Sequence, residues 1–158
     1  MVVIGVGNEF RRDDGAGPAV VTSLRGRVPP GVELLLSDGE PARLIDAWTG
    51  AALAVVVDAV RVDPSRPGRV HRFALDRPIG GPVRTTSSHG FGLDDAVRLA
   101  LALDRMPGRL VVHAIEAADL SQGSGLTPLV AAAVGDVARA VLSDIRDAGP
   151  RPDRPISS

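Results

Sequence analysis

The hydrophobic residues of this chain fall in short continuous runs, separated by stretches with helical period. Val2–Val6 is apolar throughout and ends at Gly7-Asn8, the pattern of a buried strand running into a tight turn. Asp13–Leu24 predicts a helix, whose regular part starts near Gly17 because Pro18 suits a first turn. Val32–Leu36 predicts a second strand, closing on Ser37-Asp38-Gly39. Glu40–Trp48 sets Leu44, Ile45 and Trp48 on one face of an amphipathic helix. Ala52–Val57, apolar at every position, predicts a third strand covered on both faces. Arg69–Ala74 alternates and predicts a fourth, reached through Arg61–Pro67, a link too short for a crossover helix. If the third and fourth strands are sheet neighbours, they run antiparallel. Leu75–Ser88 is a long loop rich in Pro, Gly, Ser and Thr, of a length often tied to function. Leu93–Leu103 predicts a helix with Asp94 and Asp95 at its positive end. Leu110–Ile115 predicts a fifth strand, and Thr127 and Pro128 the N-cap and first position of a last helix to about Arg146.

Strands alternating with helices predict an α/β fold, a three-layer α/β/α sandwich around a mostly parallel five-stranded sheet. Right-handed crossovers make the first three strands parallel. A length of 158 residues fits one domain, over 1–148, with the proline- and arginine-rich 149–158 as a flexible tail. Ligands of such sheets bind beyond the carboxyl ends of the strands. Asp14, Asp38 and Asp58 all follow those ends, and His89 stands just before a helix, where it can face the same edge.

Composition narrows the chemistry. The chain has no Cys, Lys or Tyr, which excludes a thiolate nucleophile, a Schiff-base lysine, an iron–sulfur cluster and any disulfide. No G-x-S-x-G elbow is present. Acid–base work therefore falls to Asp, Glu and three His. A formal net charge of −1 gives no electrostatic case for nucleic acid or an anionic membrane. Apolar runs such as Ala51–Val57 are too short to span a bilayer, and no secretory signal stands at the N-terminus. The expected setting is soluble and cytoplasmic.

Asp14, Asp58 and His89 offer carboxylate oxygen and imidazole nitrogen, a donor set for a divalent transition metal with positions left open. Each also has an ordinary reading: a helix N-terminal carboxylate, a strand-end turn residue and a helix-start histidine bonded to backbone. Asp13 points about 100° away from Asp14 on a helix, which favours a cap or a surface charge. Asp38 fits either a carboxylate beside the metal or substrate, or a plain Asp-Gly turn. His71, on the alternating strand, reads as a surface residue, and His113, among Leu, Val and Ile, as a satisfied core histidine. Glu116 closes the fifth strand and is a further site candidate; Gly5 and Gly7 read as points of close backbone approach.

Five blocks in order carry a resemblance: GVGNEFRRDDGAGPAVV (5–21), LLLSDG (34–39), VVVDAV (55–60), SSHGFGLDDAVRLA (87–100) and GSGLTPLV (123–130). Together they resemble the hydrogenase maturation proteases, endopeptidases that finish the large subunit of nickel–iron hydrogenases. The resemblance puts the family's metal-binding positions on Asp14, Asp58 and His89 and a further family aspartate on Asp38. Two departures stand near the expected substrate cleft: Glu40 replaces a second glycine after the Asp-Gly turn, and His113-Ala-Ile-Glu-Ala-Ala replaces a G-I-x-P pattern. They bear on which client is served.

The resemblance implies an enzyme that recognises nickel already inserted in the precursor and removes a C-terminal extension with a single cut. The new C-terminus then folds over the metal centre. Asp14, Asp58 and His89 would read the client's nickel, with zinc or cadmium as surrogates, and Asp38, with Asp14, would be the catalytic carboxylate. Either the metal polarises a carbonyl or water, or it only docks the client while a carboxylate moves the proton. Two other functions compete. Gly5-Val6-Gly7 begins like a dinucleotide fingerprint with Asp38 as the ribose acid, but Phe10 takes the third glycine position, and Asp13 and Asp14 oppose a pyrophosphate. A non-catalytic precursor-binding chaperone has no need to keep Asp14, Asp58 and His89 together.

Overall fold

The computed structural model describes residues 1–76 and 93–149. The chain forms β1 (Val2–Val6), a 3-10 turn (Arg12–Gly15), α1 (Ala16–Leu24), β2 (Glu33–Ser37), α2 (Pro41–Trp48) and β3 (Leu53–Val60). It continues through β4 (Val70–Asp76), α3 (Asp94–Ala102), β5 (Arg109–Glu116) and α4 (Pro128–Ala148). His89, most of the Leu75–Ser88 loop and the expected tail from residue 150 onward lie outside the described residues.

The five strands form one sheet in the order β2-β1-β3-β5-β4. β1 pairs in parallel with both β2 and β3, and β3 in parallel with β5, so the first three strands are parallel as expected. The conditional expectation for the third and fourth strands does not apply. β5 inserts between them, and β4 pairs antiparallel with β5, His71 opposite Ala114 and Arg72 opposite His113.

The layers follow from the apolar patterns. Val3, Val55, Val57, Val111 and Ile115 pack against α1 and α4 through Val20, Leu24, Val137 and Val141. Ile4, Val56 and Val112 pack against α2 and α3 through Leu44, Trp48, Val97 and Ala100. Burying such side chains on both faces contributes about 1.5–3 kcal/mol each. The Trp48 indole N–H finds the Arg105 carbonyl at 3.0 Å, so even the largest core residue leaves no polar atom unpaired.

Local starts and stops explain the element limits. Glu40 caps α2, its carboxylate accepting from the amides of Ala42 and Arg43, with Pro41 at the first helical position. The predicted helix from Asp13 is two pieces: the chain enters a 3-10 turn (Arg12–Gly15) through Arg12 at φ +46°, and α1 begins at Ala16 with Gly15 as its N-cap. β3 runs past its predicted end at Val57. Its pairing with β1 stops at Gly5 opposite Val57, while its pairing with β5 continues through Asp58, Ala59 and Val60.

Candidate functional site

The first and third strands build the site between them. Gly7, at φ +136°, turns the chain off β1 so tightly that a Cβ there would lie 1.9 Å from the Asp14 carbonyl oxygen. Gly17 brings the start of α1 against both strand ends; a Cβ there would lie 2.4 Å from the Val57 carbonyl oxygen and 2.5 Å from that of Val6. These contacts set the 3-10 turn directly over the carboxyl ends of β1 and β3. Asp14 and Asp58 consequently line one cavity of about 320 Å³, joined by Asp38 and Gly39 from the end of β2 and by Arg11 and Arg61.

The carboxylates differ in setting. Asp14 accepts a hydrogen bond from the Asn8 amide at 2.9 Å, which ties it to the turn after β1. Asp58 is partly buried on the side where β1 has ended. Burial, and next the Asp14 charge, push its pKa up to about 7 against a weaker opposing hydrogen bond from the Ala59 amide. Asp38 is exposed; one oxygen accepts from the Glu40 amide at 3.1 Å and the other from Arg43 Nη1 at 2.6 Å. The structure thus brings Asp14, Asp38 and Asp58 to one cavity, and Asp58 arrives from within a strand and not from a turn after it. Among the described residues no group of three His, Cys, Asp or Glu side chains forms a metal cage. Two acidic oxygen donors facing open space suit a site that a third ligand or a client's own ligands must complete.

Asp13 corrects the expectation of a cap or surface charge. It is fully buried, and its carboxylate accepts from the amides of Ala118, Asp119 and Thr127 and from the Thr127 hydroxyl, all at 2.8–3.0 Å. Burial alone would raise its pKa; the bonds from Thr127, Asp119 and Ala118 outweigh that and hold it below the ordinary value. Thr127 does stand at the start of α4, but its hydroxyl turns to Asp13 and makes no side-chain cap. Further backbone bonds, Arg12 N–H to the Gly123 carbonyl and Gly123 N–H to the Phe10 carbonyl, lace the 117–127 loop to the turn that carries Asp14. Sequence reasoning weighed Asp13 for its own chemistry and missed this role. The available signal was the doublet itself, since adjacent residues point apart and only one can face the cavity.

The remaining candidates fall elsewhere. His113 is the core histidine expected, its Nε2 2.7 Å from Asp144, which Arg72 also holds at 2.7 Å. His71 is not a plain surface residue: it is partly buried, its Nε2 2.9 Å from Glu116. Glu116 does not line the cavity. It clamps the 61–69 segment, accepting from the Arg66 amide at 3.0 Å and bonding His71, and these contacts hold its pKa below the ordinary value.

With this geometry, comparisons with known proteins become specific. A family model described as hydrogenase maturation protease matches residues 18–144. The structure of hydrogenase maturating endopeptidase HybD from Escherichia coli superposes with a TM-score of 0.76 at 25% identity, over 94% of this chain and 93% of that one. The [NiFe] hydrogenase maturation protease HybD from Thermococcus kodakarensis gives 0.67 at 26% identity, over 91% and 97%. The solution structure of an endopeptidase from Escherichia coli gives 0.75 at 21% identity over the full length of both, which supports the fold. No curated protein matches the sequence. The family match covers Asp38 and Asp58 and begins just after Asp14; spanning most of the sequence, it shows that the chain belongs to the hydrogenase maturation protease family.

Proposed function

We propose that this endopeptidase removes the C-terminal extension of a nickel–iron hydrogenase large-subunit precursor after nickel has been inserted. The observation that carries the reading is the convergence of Asp14 and Asp58, 44 positions apart in sequence, on one cavity at the carboxyl ends of a parallel sheet. The nickel is part of the client. Asp14 and Asp58, with His89 as the third ligand, offer it oxygen and nitrogen and no thiolate, a set that holds nickel loosely unless the client's own ligands supply the rest. Trimming then waits for metal insertion.

Asp38 is the carboxylate we place at the proton transfer, with Asp14 beside it. Arg43 and the Glu40 amide engage its two oxygens and fix its orientation at the rim of the cavity. A water between Asp38 and the scissile carbonyl gives up a proton to the carboxylate as its oxygen bonds to the carbonyl carbon; the C–N bond then breaks and the same proton goes to the leaving amine. Zinc or cadmium serve as surrogates for binding measurements. We take the setting to be cytoplasmic, where a chain without cysteine has no disulfide to lose.

The test is a mass-spectrometric trimming assay on candidate precursors. Nickel-loaded precursor yields one shortened product and metal-free precursor stays intact; equal trimming of both overturns the metal-reading mechanism. In parallel, calorimetry with nickel, zinc or cadmium gives weak binding that His89→Ala abolishes, while NAD gives no heat.

A further inference from the structure

We propose that the groove along the free edge of β2 binds the stretch of precursor polypeptide next to the cut, held extended as an added strand with its apolar side chains against Phe10 and Leu36. The proposal rests on the function given above and names where that substrate lies.

Among the described residues β2 is an outer strand of the sheet and pairs only with β1. The Glu33 amide donates to the Met1 carbonyl at 3.0 Å and the Ser37 carbonyl accepts from the Gly7 amide at 2.9 Å. In a parallel ladder these two end bonds turn the backbone groups of residues 33, 35 and 37 toward β1. The N–H and C=O groups of Leu34 and Leu36 therefore point to the open edge. Protected edges carry charge, proline or a covering element. The run Leu34–Leu36 has no charge and no proline. The opposite edge differs: β4 carries His71, Arg72 and Asp76, each bonded through its side chain to β5 or α4.

A groove of about 490 Å³ lies along the C-terminal half of β2, lined by Phe10, Pro18, Leu35 and Leu36, with Glu9 and Arg43 at its polar side. Phe10 is 67% exposed and Leu36 56%, and the two stand together on one groove and are not scattered over the surface. Two further lining residues, Gly7 and Asp38, also line the acid cavity, so the groove and the cavity adjoin. A chain added beside Leu34 and Leu36 runs straight past Ser37 to Asp38. Extended binding by strand addition gives affinity through the main chain and selectivity through alternate side-chain pockets. A protease needs that geometry, because a carbonyl within a helix or turn is not open to attack.

The experiment measures trimming kinetics on nickel-loaded precursor, with anisotropy of a labelled peptide that spans the cut as a readout independent of cutting. Phe10→Ala and Leu36→Asp raise KM and weaken peptide binding about tenfold or more, as loss of an anchor does, and change kcat less than twofold. Leu36→Pro removes an outward N–H and spares the β1 ladder; it weakens peptide binding more than Leu36→Ala, with circular dichroism confirming the fold of each variant. Unchanged KM and unchanged peptide binding in Phe10→Ala and Leu36→Asp overturn the proposal. Should wild type bind the peptide through these residues yet cut no precursor, the groove stands and the proposed function fails. A dimer that Leu36→Asp dissociates, with peptide binding intact, assigns the edge to a second copy of the chain and overturns it as well.

Discussion

Two groups of acids in this molecule serve opposite ends. On the α4 face of the sheet, Asp144 forms a closed cluster with His113 and Arg72, each 2.7 Å away, and on the other face Glu116 is held between the Arg66 amide and His71. Each of these acids has donors on both oxygens. At the carboxyl ends of β1 and β3, Asp14 and Asp58 instead face one another across open space, near enough for the charge of one to raise the pKa of the other. Acids that have found their donors hold a fold together. Acids left facing each other remain available for a cation brought from outside.

The sharpest way to break this comparison is Asp58→Asn. Removing one of the facing carboxylates should lower trimming of nickel-loaded precursor by more than about 10³-fold, equivalent to about 4 kcal/mol of barrier. The same change relieves repulsion and desolvation, so metal-free protein should gain at least about 1 kcal/mol of stability at pH 8. Activity assays and chemical denaturation read the two effects separately. A variant that loses stability as well as activity would place Asp58 with the closed cluster.

Asp13 is the next largest. Asp13→Ala leaves the amides of Ala118, Asp119 and Thr127 without their common acceptor and should cost about 3–4 kcal/mol of stability. It should also loosen the turn that holds Asp14, so nickel binding falls even where the protein stays folded. Asp13→Asn keeps one acceptor oxygen and should fall between the two in urea denaturation.

The pH dependence separates the clusters by sign. The pKa values of Asp144 and Asp13 are depressed in the folded state, Asp144 because bonds from His113 and Arg72 outweigh the effect of burial. Their contribution is complete above the unfolded value near 3.8 and is lost as pH falls through their lower folded values. Asp58 is raised, to about 7 from 3.8, so metal-free protein should gain stability from this group as pH falls from 7 toward 4. Thermal midpoints of Asp58→Asn should lose that rise, while Asp144→Asn should keep it and become less sensitive to acid below pH 4. Like slopes in both variants would dissolve the distinction.

How much of this was legible in the sequence follows from what kind of contact fixes each feature. Continuous runs such as Ala52–Val57 announced a central strand because both its faces are covered, and Glu40-Pro41 marked a helix start by local chemistry alone. The gathering of Asp14, Asp38 and Asp58 was readable from strand ends, because parallel order puts all those ends at one edge. The place of β5 between β3 and β4 was not, since partner choice depends on which strand fills the centre and no local pattern records it. Nor was the task of Asp13: its three amide donors come from a loop more than a hundred positions away. His71 misled because its alternating strand suggests a solvent face, whereas Glu116, which it bonds, lies at the end of the strand beside it.

The smallest effect concerns Arg43, which holds Asp38 at the exposed rim through a bond of 2.6 Å. An ion pair this exposed contributes about 0–1 kcal/mol to stability, so Arg43→Ala should leave the denaturation midpoint nearly unchanged. Its effect on trimming should be larger in relative terms. Asp38 keeps its bond from the Glu40 amide but loses the partner that fixes its second oxygen, and the proposed proton acceptor, held less firmly, should work less often. A fall in kcat of about three- to tenfold with KM unchanged is the expected outcome, and Arg43→Lys should recover part of it by restoring the charge without the planar fork. If KM rises and kcat holds, Arg43 belongs with the groove beside β2, whose wall it also forms, and the proton transfer passes to Asp14.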